Sequence, residues 1–365
     1  MTEQTQFLHG SDLEILEQLY GIEKESMISF SANVNPLGIS PLLRKTLTEN
    51  IDIISRYPER ESLSLKKSIA AYTGCEPENI ITGSGVTELI ASCISMIKPG
   101  KALILGPTYS EYAHEVERGG GIAEYYFTRA DEDFQLDITN FMEHLKKDYD
   151  LVILCNPNNP TSSLLSSREI TTILEVLREQ DTLLMIDETY AEFAEAESLI
   201  SALPLTRFYD NLLVLRGTSK FFAAPGLRLG YCVTCNLPLL AKLNSEQRPW
   251  NVNSFAELAG IEMFHDTEYI LKVKNFMAVE RRHTCQLLKR IPGLTVFPSH
   301  ANFVLIRIDK ENITADQIFE ACLQEKMVIR VCNSFPSLDE RFFRICYMQP
   351  EQNEALVKCI EKALK

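Results

Sequence analysis

Several large classes of protein are excluded by what this 365-residue sequence lacks. No uninterrupted apolar segment approaches the roughly 20 residues that cross a bilayer, so no membrane partner is expected. No long basic block interrupts a net charge of −14, which argues against nucleic acid as a principal partner. An anionic ligand must therefore be held by local cations, not by the field of the whole molecule. The opening stretch MTEQTQFLHGSD has neither the cationic start nor the apolar centre of a secretion signal. There is no disulfide framework. The ten cysteines are scattered, and Cys93, Cys155, Cys232 and Cys346 lie in apolar runs, as reduced, buried thiols do. A cytoplasmic location is the expectation. Cys232 and Cys235 form one CxxC pair without a second pair or a nearby histidine, so no metal site is expected. No internal repeat or low-complexity segment is present.

What is present is the composition of a soluble globular protein, 45% hydrophobic and 24% charged, in a chain long enough for two lobes. Short apolar runs at Ala102–Leu105, Leu151–Cys155, Leu183–Ile186, Leu212–Leu215 and Leu229–Val233 read as buried strands. Helical patterns separate most of them, among them Leu63–Thr73, a stretch from Pro41 to Ile54, and one opening at Gly85 and running to Ile97. Such alternation predicts an α/β fold with a mostly parallel sheet sandwiched by helices. Toward the end of the chain, Phe303–Ile308 and Phe343–Tyr347 read as strands of a smaller α/β unit.

The exits of the buried runs carry the chemistry. Leu105 is followed by Gly106-Pro107-Thr108-Tyr109, Cys155 by Asn156-Pro157-Asn158-Asn159-Pro160-Thr161, Ile186 by Asp187-Glu188-Thr189-Tyr190, and Leu215 by Arg216-Gly217-Thr218-Ser219-Lys220. Ligands of open α/β sheets bind at such strand ends. Lysine is the amine that forms a Schiff base with a carbonyl cofactor, and Arg228, eight residues on, suits a phosphate. Asp187, at the end of an apolar strand, needs a cation or hydrogen bonds; helix capping is its other reading. Gly83-Ser84-Gly85-Val86-Thr87 before a helix leaves backbone N–H groups for an anion, or forms only a tight turn. Tyr109 offers an aromatic face to a flat ring, or merely packs. Asn33 and Asn35 sit in a turn-rich stretch. Arg330 and Arg344 interrupt apolar strand patterns and require anions, whether a ligand or structural carboxylates.

In order, the motifs YP, GxGxTE, PTYSEY, NPNNPT, DExY, SK and GLRLGY make the chain resemble, over nearly its whole length, the fold type I pyridoxal-phosphate-dependent enzymes of the aspartate aminotransferase superfamily. Within it, FSANVNPLG, the early His9-Gly10, PWNVN and VIRVCNSFPSLDERFFRI look like the L-threonine O-3-phosphate decarboxylases of cobalamin biosynthesis, relatives of the histidinol-phosphate aminotransferases. The resemblance implies pyridoxal 5'-phosphate as cofactor, a homodimer, and decarboxylation of a phosphorylated amino acid, with an aminotransferase as the alternative. It implies an N-terminal arm with part of the small domain over 1–45, a large cofactor domain over 46–250 and a small domain over 251–365. It implies that Lys220 anchors the cofactor, that Asp187 pairs with the pyridine nitrogen and Asn158 with the ring oxygen, with Tyr190 nearby, and that Tyr109 stacks on the ring. Gly85, Val86, Thr87, Ser219 and Arg228 would hold the cofactor phosphate, joined by Tyr57 from the second subunit. His9, Gly10, Asn35, Asn158, Arg330 and Arg344 would surround the substrate, Arg344 taking its carboxylate and Arg330 its phosphate. Two positions depart from the pattern: Gly217 replaces a hydroxyl residue that contacts the phosphate, a loss Thr218 could make good, and Ser162 replaces a glycine after NPNNPT.

Overall fold

The computed structural model describes residues 12–365; His9 and Gly10 lie outside the described residues. The main sheet has seven strands, in spatial order Ile80–Gly83, Gly230–Val233, Leu212–Gly217, Leu183–Asp187, Leu151–Cys155, Lys101–Gly106 and Ile122–Phe127. Only Gly230–Val233 runs against its neighbours; the other pairings are parallel. Leu151–Cys155 and Leu212–Gly217 are buried at every position, which is why they read as continuous apolar runs rather than alternating ones. Two strands of this sheet escaped the sequence reading. Ile80–Gly83 is only four residues long, and Ile122–Phe127 lies at the sheet edge with half-exposed tyrosines in place of an apolar run.

A second sheet orders Arg330–Val331, Phe342–Cys346, Phe303–Ile308 and Leu294–Val296, all antiparallel. Ile28–Ser29 pairs with Met327–Val328, which attaches the early chain to this smaller unit. The helix expected from Pro41 to Ile54 ends at Glu49, followed by a 3-10 turn over Ile51–Ser55. The cause is local: the Asn50 side chain donates to the Thr46 carbonyl at 2.9 Å, the same oxygen its own N–H reaches, and such side-chain bonding competes with helix continuation. Helix Ser254–His265 packs on Pro41–Glu49 and Leu63–Thr73. No helix among the described residues is long and apolar enough to cross a membrane.

Beneath the main sheet lies a buried charge cluster. Arg216 is 2% exposed and places Nη2 2.7 Å from Glu188, and Nη1 2.7 Å from Glu197 and 3.4 Å from Glu192. Lys274 reaches Glu197 at 2.6 Å. Three carboxylates thus share two cations, and burial pushes the Glu192 carboxyl up to about 7. One of its oxygens, Oε2, has no partner. A carboxyl whose folded pKa lies above its unfolded one favours the fold at low pH, and that contribution disappears as pH rises from about 4.5 to about 7. Glu192→Gln should therefore match the parent in melting temperature at pH 5 and exceed it by a few degrees at pH 8. A constant difference across that range would show that Glu192 stays ionised.

Candidate active site

The four polar strand exits meet because Lys101–Gly106, Leu151–Cys155, Leu183–Asp187 and Leu212–Gly217 are successive parallel neighbours in the sheet. Asp187 is 5% exposed. Its Oδ2 accepts from the Tyr112 hydroxyl at 2.7 Å, and its Oδ1 from the Thr189 N–H at 2.8 Å and hydroxyl at 2.5 Å. Burial raises its pKa and these donors oppose the rise. Tyr112 was missed by the sequence reading; its one signal is its place three residues after Tyr109, in the first turn of the helix Glu111–Arg118. The two rings meet edge to face at 5.7 Å.

Lys220 is recessed, and its Nζ donates to the Ala32 carbonyl at 2.7 Å. Burial first, then the charge of Arg344, bring its pKa down to about 8. At neutral pH roughly a tenth of the amine is then unprotonated, far more than for an ordinary lysine. The fields of Arg228 and Asp187 both act on Tyr109, which also bonds with Thr87, and those of Arg344 and Asp187 on Tyr190. Tyr190 accepts from Asn33 Nδ2 at 3.3 Å, while Asn33 Oδ1 is buried without a partner.

The helix Val86–Ile97 starts at Gly85, whose φ of 91° is open to glycine and strained for other residues. A Cβ there would lie 2.6 Å from Arg228 Nη2, so the guanidinium covers the helix N-terminus directly. Ser219 is half-buried. Thr218 does not replace the missing hydroxyl: it is fully buried and its Oγ1 donates to Leu229 O at 3.2 Å. Ser84 is likewise engaged, donating to Asn251 O at 2.6 Å. At Gly217 the place of a Cβ is taken by Val86 Cγ2, 2.6 Å away.

Arg344 is 4% exposed; it bonds Asn159 Oδ1 through Nη1 and Ser31 O through Nη2 at 2.7 Å, and its Nε has no partner. Arg330 stands opposite it in register and donates to Ser334 at 2.9 Å. Two expected contacts are engaged otherwise. Asn35 donates to Phe221 O and Tyr269 OH and accepts from Leu37 N–H, so it braces the backbone after Lys220 and has no amide hydrogen left for a substrate. Asn158 donates to Pro107 O and Thr161 and accepts from Thr108, so a ring contact requires one of these to be released. Tyr57 is 81% exposed and lies on Trp250 at 4.9 Å.

The family model of the class I and II aminotransferases matches residues 25–360. The chain belongs to that family. The threonine-phosphate decarboxylase of Salmonella typhimurium is 31% identical over 98% of this chain and 96% of its own. A histidinol-phosphate aminotransferase of Methanosarcina mazei is 33% identical over 98% and 93%. Among solved structures, the L-threonine-O-3-phosphate decarboxylase of Porphyromonas gingivalis superposes with a TM-score of 0.81 at 27% identity, covering 92% of this chain and 98% of that one. Enzymes of this fold use pyridoxal 5'-phosphate, and the residues here fit it. A helix N-terminus under an arginine suits the phosphate, a buried hydrogen-bonded acid suits a pyridinium, and a lysine of lowered pKa suits the aldehyde. The unpartnered Asn33 Oδ1 and Arg344 Nε show polar capacity in hand for bound groups.

Because Val86 fills the space beside Gly217, Gly217→Ser alone should clash and weaken cofactor binding. Gly217→Ser combined with Val86→Ala should bind pyridoxal phosphate more tightly than the parent, by about fivefold for one added hydrogen bond. Equilibrium titration of the cofactor-free proteins measures this, and additive effects of the two changes would refute the coupling.

Proposed function

We propose that this enzyme decarboxylates L-threonine O-3-phosphate to (R)-1-amino-2-propanol O-2-phosphate, a step of cobalamin biosynthesis. O-Phosphoserine differs by one methyl group, worth only about 1–3 kcal/mol in a pocket, and is a close second substrate. The observation that carries this reading is the facing pair Arg330 and Arg344. Like charges directly opposite on neighbouring strands repel, and burial and the Arg344 charge both disfavour the charged form of Arg330. No carboxylate lies within ion-pair distance of Arg344 among the described residues. A substrate with two anionic ends relieves both arginines: Arg344 takes the carboxylate and Arg330 the phosphate. The similarity to the Salmonella threonine-phosphate decarboxylase supports the same reaction.

Bound at this site, pyridoxal phosphate would supply an electron sink for the bond that breaks. The residues here do the rest. Asp187, fixed by Tyr112 and Thr189, holds negative charge at the strand end. Val86 and Thr87 backbone N–H groups, Thr87, Ser219 and Arg228 hold the cofactor phosphate. Arg344 orients the carboxylate to depart as carbon dioxide, and Lys220 delivers the proton that replaces it on Cα. We extend the reading to a homodimer in a cytoplasmic setting, with the partner's Tyr57 completing the phosphate cup. Its support is the exposure of Tyr57 beside Trp250 and the free state of all ten cysteines.

Incubated with O-phospho-L-threonine and no keto acid, the holoenzyme should release one carbon dioxide per substrate. The similarity to the Methanosarcina protein makes transamination the second reading; a product that forms only with added keto acid, without carbon dioxide, would establish it and overturn the first. Lys220→Ala should lose covalent cofactor attachment, read by mass after borohydride reduction, and at least about 10²-fold in turnover. In the parent, the rate of cofactor attachment should rise with pH through a midpoint near the lysine's value of about 8, because only the neutral amine attacks an aldehyde; a midpoint near 10 would contradict the burial of that amine.

A further inference from the structure

Ser162 is fully buried in the left-handed region, with φ 59°, where a side chain is usually unfavourable. Its hydroxyl accepts two backbone hydrogen bonds, from the N–H of His300 and of Ala301, both at 2.8 Å. Its own N–H returns to the Asn158 carbonyl at 2.7 Å, and Asn158 N–H donates to Ser163 O. One side of this contact is the loop after Leu151–Cys155, whose Asn159 bonds Arg344. The other is the segment leading into Phe303–Ile308, the strand paired with Phe342–Cys346, on which Arg344 sits. Around the same segment, Arg281 donates to Ala301 O at 3.0 Å and Asn302 to Asn33 O at 2.8 Å. A single oxygen therefore joins the main sheet's rim to the small sheet one layer behind Arg344, and it is the acceptor for the N–H of fully buried Ala301.

We propose that Ser162 is a positioning residue: its hydroxyl fixes the small sheet against the Asn158–Asn159 loop and so sets where the Arg344 guanidinium stands. Arg344 is held by atoms of three separate segments, Ser31, Asn159 and its own strand, so relative movement of loop and strand displaces it. Lys220 and the phosphate cup lie on the main-sheet side of the contact. Loss of the hydroxyl therefore acts on the carboxylate end of a ligand and leaves cofactor affinity unchanged. This inference rests on the reading of Arg344 as the carboxylate's partner.

The test compares holoenzyme of the parent, Ser162→Ala and Ser162→Gly, using the cofactor's visible spectrum in the first moments after rapid mixing, before turnover, to titrate O-phospho-L-threonine, and at equilibrium to titrate O-phosphoethanolamine, which lacks the carboxylate. Both variants should lose about tenfold in affinity for O-phospho-L-threonine, the scale of one misplaced hydrogen bond to a charged group, and stay within about twofold for O-phosphoethanolamine and for pyridoxal phosphate. Equal losses for both ligands, or no loss, overturn the proposal. If Ser162→Gly matches or improves on the parent while Ser162→Ala is impaired, backbone strain and not the hydroxyl governs the site, which also overturns it. Hydrogen exchange of the ligand-free holoenzyme needs no substrate. Segments 300–306 and 342–346 should exchange faster in both variants while 86–97 is unchanged, and unaltered exchange refutes the latch whatever the substrate is. Failure of the parent to release carbon dioxide, by contrast, counts only against the decarboxylase reading.

Discussion

The site depends on one geometric constraint: parallel strands that are neighbours in a sheet end at the same level and on the same edge. Tyr109, Asn158, Asp187 and Lys220 are far apart in the chain, yet each follows the end of a strand next to another in the order Lys101–Gly106, Leu151–Cys155, Leu183–Asp187, Leu212–Gly217. The apolar interiors of those strands make the rim dry as well as convergent. An acid placed there is tolerable only with donors aimed at it, and the three that Asp187 receives occupy it on the side of the strand end. The same dryness that makes Asp187 costly lowers the proton affinity of Lys220, so one environment tunes an acid upward and an amine downward.

The early segment around residues 30–33 completes the rim by offering carbonyls. Four consecutive oxygens are taken: Phe30 O by Cys346 N–H, Ser31 O by Arg344, Ala32 O by Lys220 and Asn33 O by Asn302. Two of these donors are the cations assigned to chemistry. A neutral carbonyl holds a cation more weakly than a carboxylate does, so each can be exchanged for a stronger, anionic partner. Native carboxylates in the same places would have had to be displaced at greater cost. This fits the observation that, in a protein of net charge −14, no described acidic side chain lies within ion-pair distance of the Arg344 fork.

Much of the rim was legible because each exit carried polar residues directly after an apolar run, a signal that depends only on neighbouring positions. Lys220 and Asp187 fall in this group, and Arg344 showed itself differently, as a charge inside an apolar strand pattern. What was not legible involved partners distant in the chain. Tyr112 reads as an ordinary aromatic on a helix, and only its burial against Asp187 separates it from Tyr109. Asn35 and Thr218 look like free hydrogen-bonding groups in sequence, whereas folding commits them to Phe221 and Leu229 carbonyls. The glycine at 217 reads as a lost hydroxyl, and nothing short of the packed structure reveals that Val86 has taken its volume. Edge strand Ile122–Phe127 was missed because half-exposed positions produce no apolar run.

Two buried arginines separate structural from functional charge. Arg216 and Arg344 are almost equally hidden, at 2% and 4% exposure; the first follows an apolar run and the second interrupts one. Arg216 meets three glutamates within 3.4 Å, and its cluster is complete to the point that one carboxyl is better off neutral. Nothing further can bind there without displacing a charge already neutralised. Arg344 has an amide oxygen, a backbone carbonyl, the face of Phe303 at 5.2 Å and an Nε with no partner. A buried guanidinium is stable only when anions or several acceptors surround it, and this one is left short. On the proposed reading the shortfall is made up on binding, so that the energy withheld from the fold at Arg344 becomes affinity for a carboxylate. Removing a glutamate from the Arg216 cluster would then act on stability, while altering what surrounds Arg344 would act on recognition, although the two arginines are alike in burial.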